Sequence, residues 1–141
     1  MTIRIGIDKV ALYRKLSNAI NAERDRRIEA RFTFQGHAFQ FDAQSKSRVT
    51  GAAMLAGFAI GAGAQPGDYI WNGGAAGFTW LSRDNVNVPL DARTMFAMGQ
   101  AAAEHERAHI FAARALKDMD PVPVDYTDDR YWPQPREAVG T

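Results

Sequence analysis

The sequence predicts an α+β fold in which two β-hairpins form a small antiparallel sheet, three helices pack on it, and the two termini are extended arms. Two segments, residues 32–41 and 78–90, alternate apolar and polar residues around short turns, as β-hairpins do. Three longer segments carry apolar residues at helical spacing, each after a residue that can cap a helix. With 141 residues, 46% of them hydrophobic, the chain is long enough to bury one core.

Composition and charge narrow the classes of function. Seventeen basic and sixteen acidic residues leave a formal charge of +1, which gives no overall electrostatic case for a nucleic-acid partner. The chain has no cysteine, which excludes disulfides, thiolate catalysis and cysteine-ligated zinc. The longest nearly uncharged segment, residues 49–65, is too short and too rich in Gly and Ala to span a membrane. We expect a protein made in the cytoplasm, without a membrane partner.

Residues 1–8 are predicted to be an N-terminal strand or arm. Ile3, Ile5 and Ile7 alternate with Arg4 and Gly6, which is the period of a strand. Because no hairpin partner lies beside it, such a strand would pair at a sheet edge or with another chain. The three isoleucines are therefore candidate partner-binding residues.

The remainder up to residue 118 is predicted to be a single α+β domain that begins with a long helix over residues 9–30. Asp8 is placed as the N-cap of this helix. Its second half, residues 23–29, is almost entirely charged and is expected to be solvated or laid against a partner. The alternative of a nucleic-acid-binding module rests on the basic residues Arg14, Lys15, Arg24, Arg26, Arg27 and Arg31.

The first hairpin, residues 32–41, contains a Gly-bearing turn at residues 35–36 or 36–37. Either turn places four phenylalanines on one buried face, because side chains alternate along a strand. They are Phe32, Phe34, Phe39 and Phe41. His37 is interpreted as a turn or surface residue.

A second helix is predicted over residues 43–62, with Asp42 as its N-cap. Small residues recur at Ala53, Gly57 and Gly61. Glycine weakens a helix, so we interpret this spacing as room for another helix or the sheet to approach closely in the core.

A glycine-rich loop is predicted over residues 63–77, which hold five glycines and a proline. Tyr69, Ile70 and Trp71 are costly to expose in such a loop. These side chains either fold back onto the domain or contact a partner, and Tyr69 and Trp71 are candidate partner-binding residues. The glycines do not form a phosphate-binding fingerprint.

The second hairpin, residues 78–90, leads into a long helix over residues 92–117. Asp91 is its predicted N-cap. Glu106 falls near the middle of the apolar stripe of this helix and His109 lies beside it. Because a buried, unpaired Glu is costly, we expect the second half of the helix to extend beyond the domain and pack on other copies or a partner, with Glu106 and His109 at the contact.

This last helix also matches the spacing H-E-x-x-H. In zinc peptidases that spacing places two imidazoles on one helix face as metal ligands and uses the Glu as general base. A zinc-dependent hydrolase using His105, His109 and Glu106 is therefore an alternative hypothesis. We favour an exposed or interface helix with charge pairs, no catalytic residue and no cofactor, because a third protein ligand is not evident. The available third ligands are His37, Asp125 and Asp128.

The tail, residues 119–141, has four prolines and cannot form a regular helix. Exposing its aromatic rings to solvent would be unfavourable. We therefore favour an extended strap that docks through these rings, rather than a disordered tail. Tyr126, Tyr131 and Trp132 are the candidate partner-binding residues.

Several segments together resemble a known family. They are IEARFTFQGHAF at residues 28–39, SRVTGAA at 47–53, DNVNVPLDA at 84–92 and RALK at 114–117. The chain resembles the phage-borne domain of unknown function 4376 over residues 22–118. It departs from the family pattern in its N-terminal strand, its glycine-rich loop and its tail.

The resemblance implies a non-enzymatic bacteriophage tail protein that binds a tail-fibre, receptor-binding or baseplate partner. A homo-oligomer is expected, with a trimer favoured by analogy with fibres. The protein would be made in the cytoplasm of the bacterial host and located in the virion tail. The resemblance leaves a second possibility, a tail-fibre assembly chaperone that is not retained in the virion.

Overall fold

The computed structural model describes residues 2–134, with side chains from residue 8 onward. The elements, in order, are α1 (Thr2–Ala30), β1 (Phe32–Phe34), β2 (His37–Phe39), α2 (Ala43–Gly61), β3 (Thr79–Leu81), β4 (Asn87–Pro89), α3 (Ala92–Lys117) and a 3-10 turn (Asp129–Tyr131). The predicted α+β class is confirmed. The chain divides into two compact units. We call residues 2–28 with 106–134 the helical unit and residues 29–105 the hairpin unit.

The backbone is helical from Thr2, so the predicted N-terminal strand is wrong. A strand satisfies its N–H and C=O groups only against a neighbouring strand, whereas a helix closes its hydrogen bonds internally. Three alternating isoleucines in residues 3–7 are too few to separate the two periods. Asp8 consequently lies inside α1 and is not its N-cap.

The first hairpin of the hairpin unit has a two-residue turn at residues 35–36. Both turn residues have positive φ, 49° and 79°, as a type I′ turn requires. Phe32 lies opposite Phe39, and Phe34 lies opposite His37. The phenylalanines therefore share a face as predicted, and three of them, Phe32, Phe39 and Phe41, are buried.

β3 and β4 pair antiparallel, and the two hairpins form separate two-stranded sheets in place of the predicted single sheet. Arg83, in the second turn, connects the two sheets. Its backbone N–H donates to the Ala38 carbonyl at 2.8 Å, and its Nη1 donates to the Ala30 carbonyl at 2.7 Å. The backbone bond joins the two hairpins without extending the ladder, and the side-chain bond ties the second turn to the end of α1.

α2 begins at its predicted cap and packs closely on α3. The Asp42 carboxylate accepts from the Ser45 N–H at 3.3 Å. Gly99 of α3 lies against Ala53, where any side chain at position 99 would collide with the alanine. Only Gly allows this approach. At Gly61, by contrast, an added side-chain carbon would meet nothing within 4 Å, so the predicted packing role does not extend to that position.

In the helical unit, α1 and the second half of α3 pack together with the C-terminal segment, residues 119–134, which we call the strap. The core of this unit consists of Ile20, Ala113, Leu116 and Trp132, each at most 4% exposed. Tyr126, Tyr131 and Val122 are half-buried against it. The tail therefore docks through its rings, but onto its own chain. Residues 135–141 of the predicted tail lie outside the described residues.

Two predictions about the long helices are corrected by this packing. The second half of α3 is covered by α1 and the strap, and it does not extend free beyond the fold. The charged second half of α1 is solvated on one side only, because Glu23, Arg27 and Ile28 are buried while Asp25, Arg26 and Glu29 are exposed. Periodicity identifies an apolar stripe but not the element that covers it, and charged residues can be buried when they are paired.

Candidate functional site

His105, the first histidine of the H-E-x-x-H match, lies among phenylalanines of the hairpin unit. Its ring centroid is 5.4 Å from that of Phe32 and 5.4 Å from that of Phe41, with the Phe41 ring perpendicular to it. Edge-to-face contacts of this kind are typical of aromatic packing. The imidazole therefore contributes to the aromatic cluster formed by the first hairpin.

His109, the second histidine, is 4% exposed in the helical unit. Its ring stacks on Trp132 with a centroid distance of 6.4 Å and an interplanar angle of 26°. The Arg27 guanidinium lies 5.3 Å from the centroid of the same indole, within the range of a cation–π contact. Trp132 is thus held by α1 and α3 of its own chain, where the sequence predicted a contact with a partner.

The carboxylates that could have completed a zinc site have structural partners. Asp125 accepts hydrogen bonds from Arg130 at 2.8 Å and from the Tyr131 hydroxyl at 3.1 Å. Asp128 caps the 3-10 turn by accepting from the backbone N–H of Arg130 at 3.0 Å. Within the described part of the chain, no three His, Asp or Glu side chains are grouped as a metal site.

A polar cluster, which we call the latch, joins the strap to α1. Arg27 donates to Glu23 at 2.7 Å, to the Thr127 carbonyl at 2.7 Å and to the Asp129 carboxylate at 2.8 Å. Glu23 also accepts two hydrogen bonds from Arg26. The Arg26 and Arg27 guanidinium groups together hold the pKa of Glu23 below its usual value, although burial opposes the shift.

Three of the six basic residues that would serve a nucleic-acid-binding module are held in ion pairs within α1 or with the strap. Arg27 is buried, and Arg26 pairs with Glu23. Arg24 pairs with Asp25 at 2.8 Å. These ion pairs neutralise the basic side chains that would otherwise contact phosphates.

The glycine-rich loop, residues 63–77, is anchored at several points. Asp91, the predicted N-cap of α3, accepts from the Thr94 N–H through one oxygen and from the Gly67 N–H through the other, both at 2.8 Å. These hydrogen bonds, that of Gly67 first, lower the pKa of the Asp91 carboxyl. Gly67 has φ of +83°, a conformation that L side chains rarely adopt. One carboxylate therefore fixes both the helix start and the loop.

The three large apolar residues of this loop are placed differently from one another. Trp71 is half-buried and donates from Nε1 to the Leu90 carbonyl at 2.9 Å, and its ring packs at a tilt against Phe78, with 4.5 Å between the ring centroids. Tyr69 and Ile70 are 43% and 55% exposed. Their backbones are nonetheless held, since Ile70 N–H donates to the Asp68 carboxylate at 3.1 Å and the Tyr69 carbonyl accepts at 2.6 Å from Phe78 N–H. The loop presents Tyr69 and Ile70 on a fixed backbone.

The outward face of α2 was not a candidate from the sequence. Its members are the large apolar residues Met54, Leu55 and Phe58, which are 60%, 61% and 69% exposed. The sequence signal was present, because these residues recur at helical spacing. The small-residue stripe on the opposite side of the helix matched an apolar face equally well, and periodicity alone does not decide which of two apolar faces is buried.

The remaining candidate partner-binding residues lie mostly in the helical unit. Glu106, Tyr126 and Tyr131 are half-buried there. Residues 3–7 belong to α1. Tyr69 and Trp71 belong to the hairpin unit, so the candidates are divided between the two units, and only Tyr69 among those with described side chains is exposed.

The chain was compared with known protein families, curated proteins and solved structures. The family whose model matches is described as a domain of unknown function (DUF4376), and the match covers residues 12–129. It begins inside α1 and ends in the strap, so it extends beyond the resemblance predicted for residues 22–118. No curated protein and no solved structure matches the chain. In the described residues, no helix combines the length and apolarity that crossing a bilayer requires.

Proposed function

Because the chain belongs to the family of domain of unknown function 4376 over residues 12–129, we propose that it is a non-enzymatic bacteriophage tail protein that binds a tail-fibre, receptor-binding or baseplate protein. The bacteriophage setting rests on the resemblance carried by the motifs at residues 28–39, 47–53 and 84–92. The binding role rests on the exposed pair Tyr69 and Ile70.

The observation that carries the binding role is that this pair is exposed on an anchored loop. Binding loops are commonly held by a rigid scaffold, and a loop that is already fixed loses little conformational entropy on binding. Tyrosine is enriched at the energetic centres of protein interfaces, because one ring supplies both apolar area and a hydrogen-bonding group. The hydrogen bond from the Gly67 N–H to Asp91 anchors the loop here.

The proposal is tested by titrating the full chain onto the purified tail-fibre, receptor-binding and baseplate proteins encoded in the same viral genome. We expect one of them to bind. The double variant Tyr69→Ala with Ile70→Ser should weaken that binding by at least about tenfold, since truncating a central interface residue costs about 1–2 kcal/mol or more. Biolayer interferometry or calorimetry provides the measurement.

The matched control is Val124→Ser, which removes an apolar side chain that is 79% exposed but belongs to the strap. Binding by this variant should equal that of the wild type. The proposal fails if no tail protein binds, or if the loop variant binds as tightly as the control. If binding is found, detecting the chain in purified virions favours a tail component, and its absence there favours an assembly chaperone.

A further inference from the structure

α2 buries its smaller apolar residues and exposes its larger ones. The side of α2 that faces the core of the hairpin unit carries the buried residues Val49, Ala53 and Ala56. The larger residues of the outward face, Met54, Leu55 and Phe58, are exposed to solvent. A solvent-facing helix surface normally carries polar residues. A contiguous group of large exposed apolar side chains on a helix is typical of an interaction surface.

The outward face is also free of charge from Gly51 onward, with Arg48 about one turn before it. Residues 51–62 contain no Asp, Glu, Lys or Arg. In a twofold-symmetric pair the same surface meets itself, so any charge near the axis would face its own copy and be repelled. A neutral apolar face avoids this repulsion, which favours a second copy of the chain as the occupant.

We propose that α2 packs antiparallel against α2 of a second copy, across a twofold axis that passes between Met54 and Leu55. Phe58 and Gly51 lie on the centre line of the outward face, at equal distances of roughly 5 Å along the helix on either side of this axis. The twofold rotation therefore places Phe58 of each copy over Gly51 of the other.

The shapes at these two positions fit each other. Phe58 is 69% exposed and projects from the helix, and at Gly51 an added side-chain carbon would meet nothing within 4 Å. Around the axis, Met54 faces its own counterpart on one side and Leu55 faces its own counterpart on the other. A parallel pair would instead set Phe58 against Phe58 and leave a void between the two glycines, so the antiparallel arrangement packs better.

The size of the surface indicates a weak dimer. A residue of this size has roughly 200 Å² of accessible surface, so exposures of 60%, 61% and 69% amount to roughly 400 Å² per copy. Two copies bury roughly 800 Å², below the 1,200 Å² or so at which stable specific interfaces begin. We expect a dissociation constant of about 10–100 µM. This dimer differs from the trimer predicted by analogy with fibres, and it uses a different surface from the loop that carries the proposed function.

Sedimentation equilibrium of the full chain tests the pairing. The wild type should show a monomer–dimer equilibrium, and Phe58→Ala should weaken it at least tenfold. Gly51→Leu is the decisive variant. It adds apolar surface to an open helical position and should leave the fold intact, but it fills the space that receives Phe58 and should also weaken the dimer at least tenfold. Non-specific apolar association would be strengthened by the same change. Phe111→Ala, at a position that is 59% exposed in the helical unit, is the control and should leave the dimer unchanged.

Disulfide trapping tests the orientation, because the natural chain has no cysteine and a single introduced thiol gives an unambiguous result. Leu55→Cys should form a covalent dimer on mild oxidation. Ser47→Cys, on the same helix, should not, because the antiparallel arrangement separates the two copies of residue 47 by roughly 22 Å along the axis.

Three results would overturn the inference. One is a chain that stays monomeric at millimolar concentration. Another is a dimer that becomes tighter in Gly51→Leu, or one in which Ser47→Cys forms the covalent dimer as readily as Leu55→Cys does. The third is a surface that binds lipid vesicles or a different protein, with loss in Phe58→Ala, while the chain itself remains monomeric.

Discussion

The charged second half of α1 and the outward face of α2 place their side chains in opposite ways. In α1, Glu23 and Arg27 are buried at 8% and 7% exposure. In α2, Phe58 is 69% exposed. The difference shows that burial in this chain follows the availability of a partner as much as polarity. The buried charges of α1 pair with each other and, through Arg27, with the strap, whereas the apolar face of α2 finds no such cover within the described residues of its own unit.

The latch is an arrangement in which charge and apolar packing act together. Arg27 makes hydrogen bonds to a carboxylate on α1 and to two groups on the strap, and it lies against the indole of Trp132. A buried ion pair need not stabilise a fold more than apolar residues would, but removing one member leaves the other desolvated. The latch therefore fixes where the strap docks.

The largest expected effect on the free energy of unfolding is the difference between removing a buried aromatic ring and removing an exposed one. Trp132→Ala removes a ring that is 4% exposed from the core of the helical unit and should lower the free energy of unfolding by about 3–5 kcal/mol. Phe58→Ala removes an exposed ring and should change it by less than about 0.5 kcal/mol. Urea unfolding at a concentration where the chain is monomeric measures both. Equal effects would contradict the comparison.

A smaller effect is expected from the latch. Arg27→Met should cost about 3 kcal/mol in unfolding free energy, the lower end for a broken buried pair, because Glu23 keeps its bonds to Arg26. Arg26→Met, whose side chain is 64% exposed, should cost less than about 1 kcal/mol. Guanidinium unfolding of the two variants provides the test, and a reversed order would show that the strap does not depend on Arg27.

A third prediction concerns the anchor of the loop. Asp91→Asn should lower the unfolding free energy by about 1–2 kcal/mol at neutral pH, because the amide replaces one acceptor oxygen with a donor that faces a backbone N–H. Since the pKa of Asp91 is lowered in the folded state, the ionised carboxylate stabilises the fold above its unfolded pKa of about 3.9.

That contribution is lost as the pH falls through the lower, folded pKa, so the difference between wild type and Asp91→Asn should shrink below about pH 4. Unfolding measured from pH 7 downward tests this. The control is Asp42→Asn at the exposed cap of α2, where Asn caps as well as Asp and a change below about 0.5 kcal/mol is expected. A difference that grows toward acid pH would contradict the assignment.

The smallest expected effect concerns zinc. His105 and His109 have aromatic neighbours in Phe41 and Trp132, so we expect no stoichiometric zinc in chain refolded with the metal and no change in melting temperature on chelation. Elemental analysis and thermal unfolding measure these quantities. One zinc per chain, lost in His105→Ala and kept in His37→Ala, would restore the hydrolase hypothesis.

The sequence identified most of the local structure. α3 was predicted with the bounds that it has, because Asp91 gives a clear start and the apolar stripe is long. The first hairpin was predicted with its buried face, since parity fixes the face whichever turn forms. The strand prediction for residues 3–7 was wrong because five residues are too few to distinguish the period of a strand from that of a helix. Of the candidate site residues, Tyr69 is exposed, where the sequence had left open whether it folds back onto the domain, and Trp132 and His109 pack within the chain.

Through local chemistry, the sequence by itself determined the α+β class, the capped starts of α2 and α3, and the family. Tertiary structure alone decided which surface covers which. One side of the charged half of α1 is buried because the strap supplies Asp129 and Trp132 to Arg27. The larger apolar residues of α2 remained outside because α3 accepts only small residues at its close approach. Capping and periodicity depend on neighbours along the chain, whereas burial depends on residues that are distant in sequence.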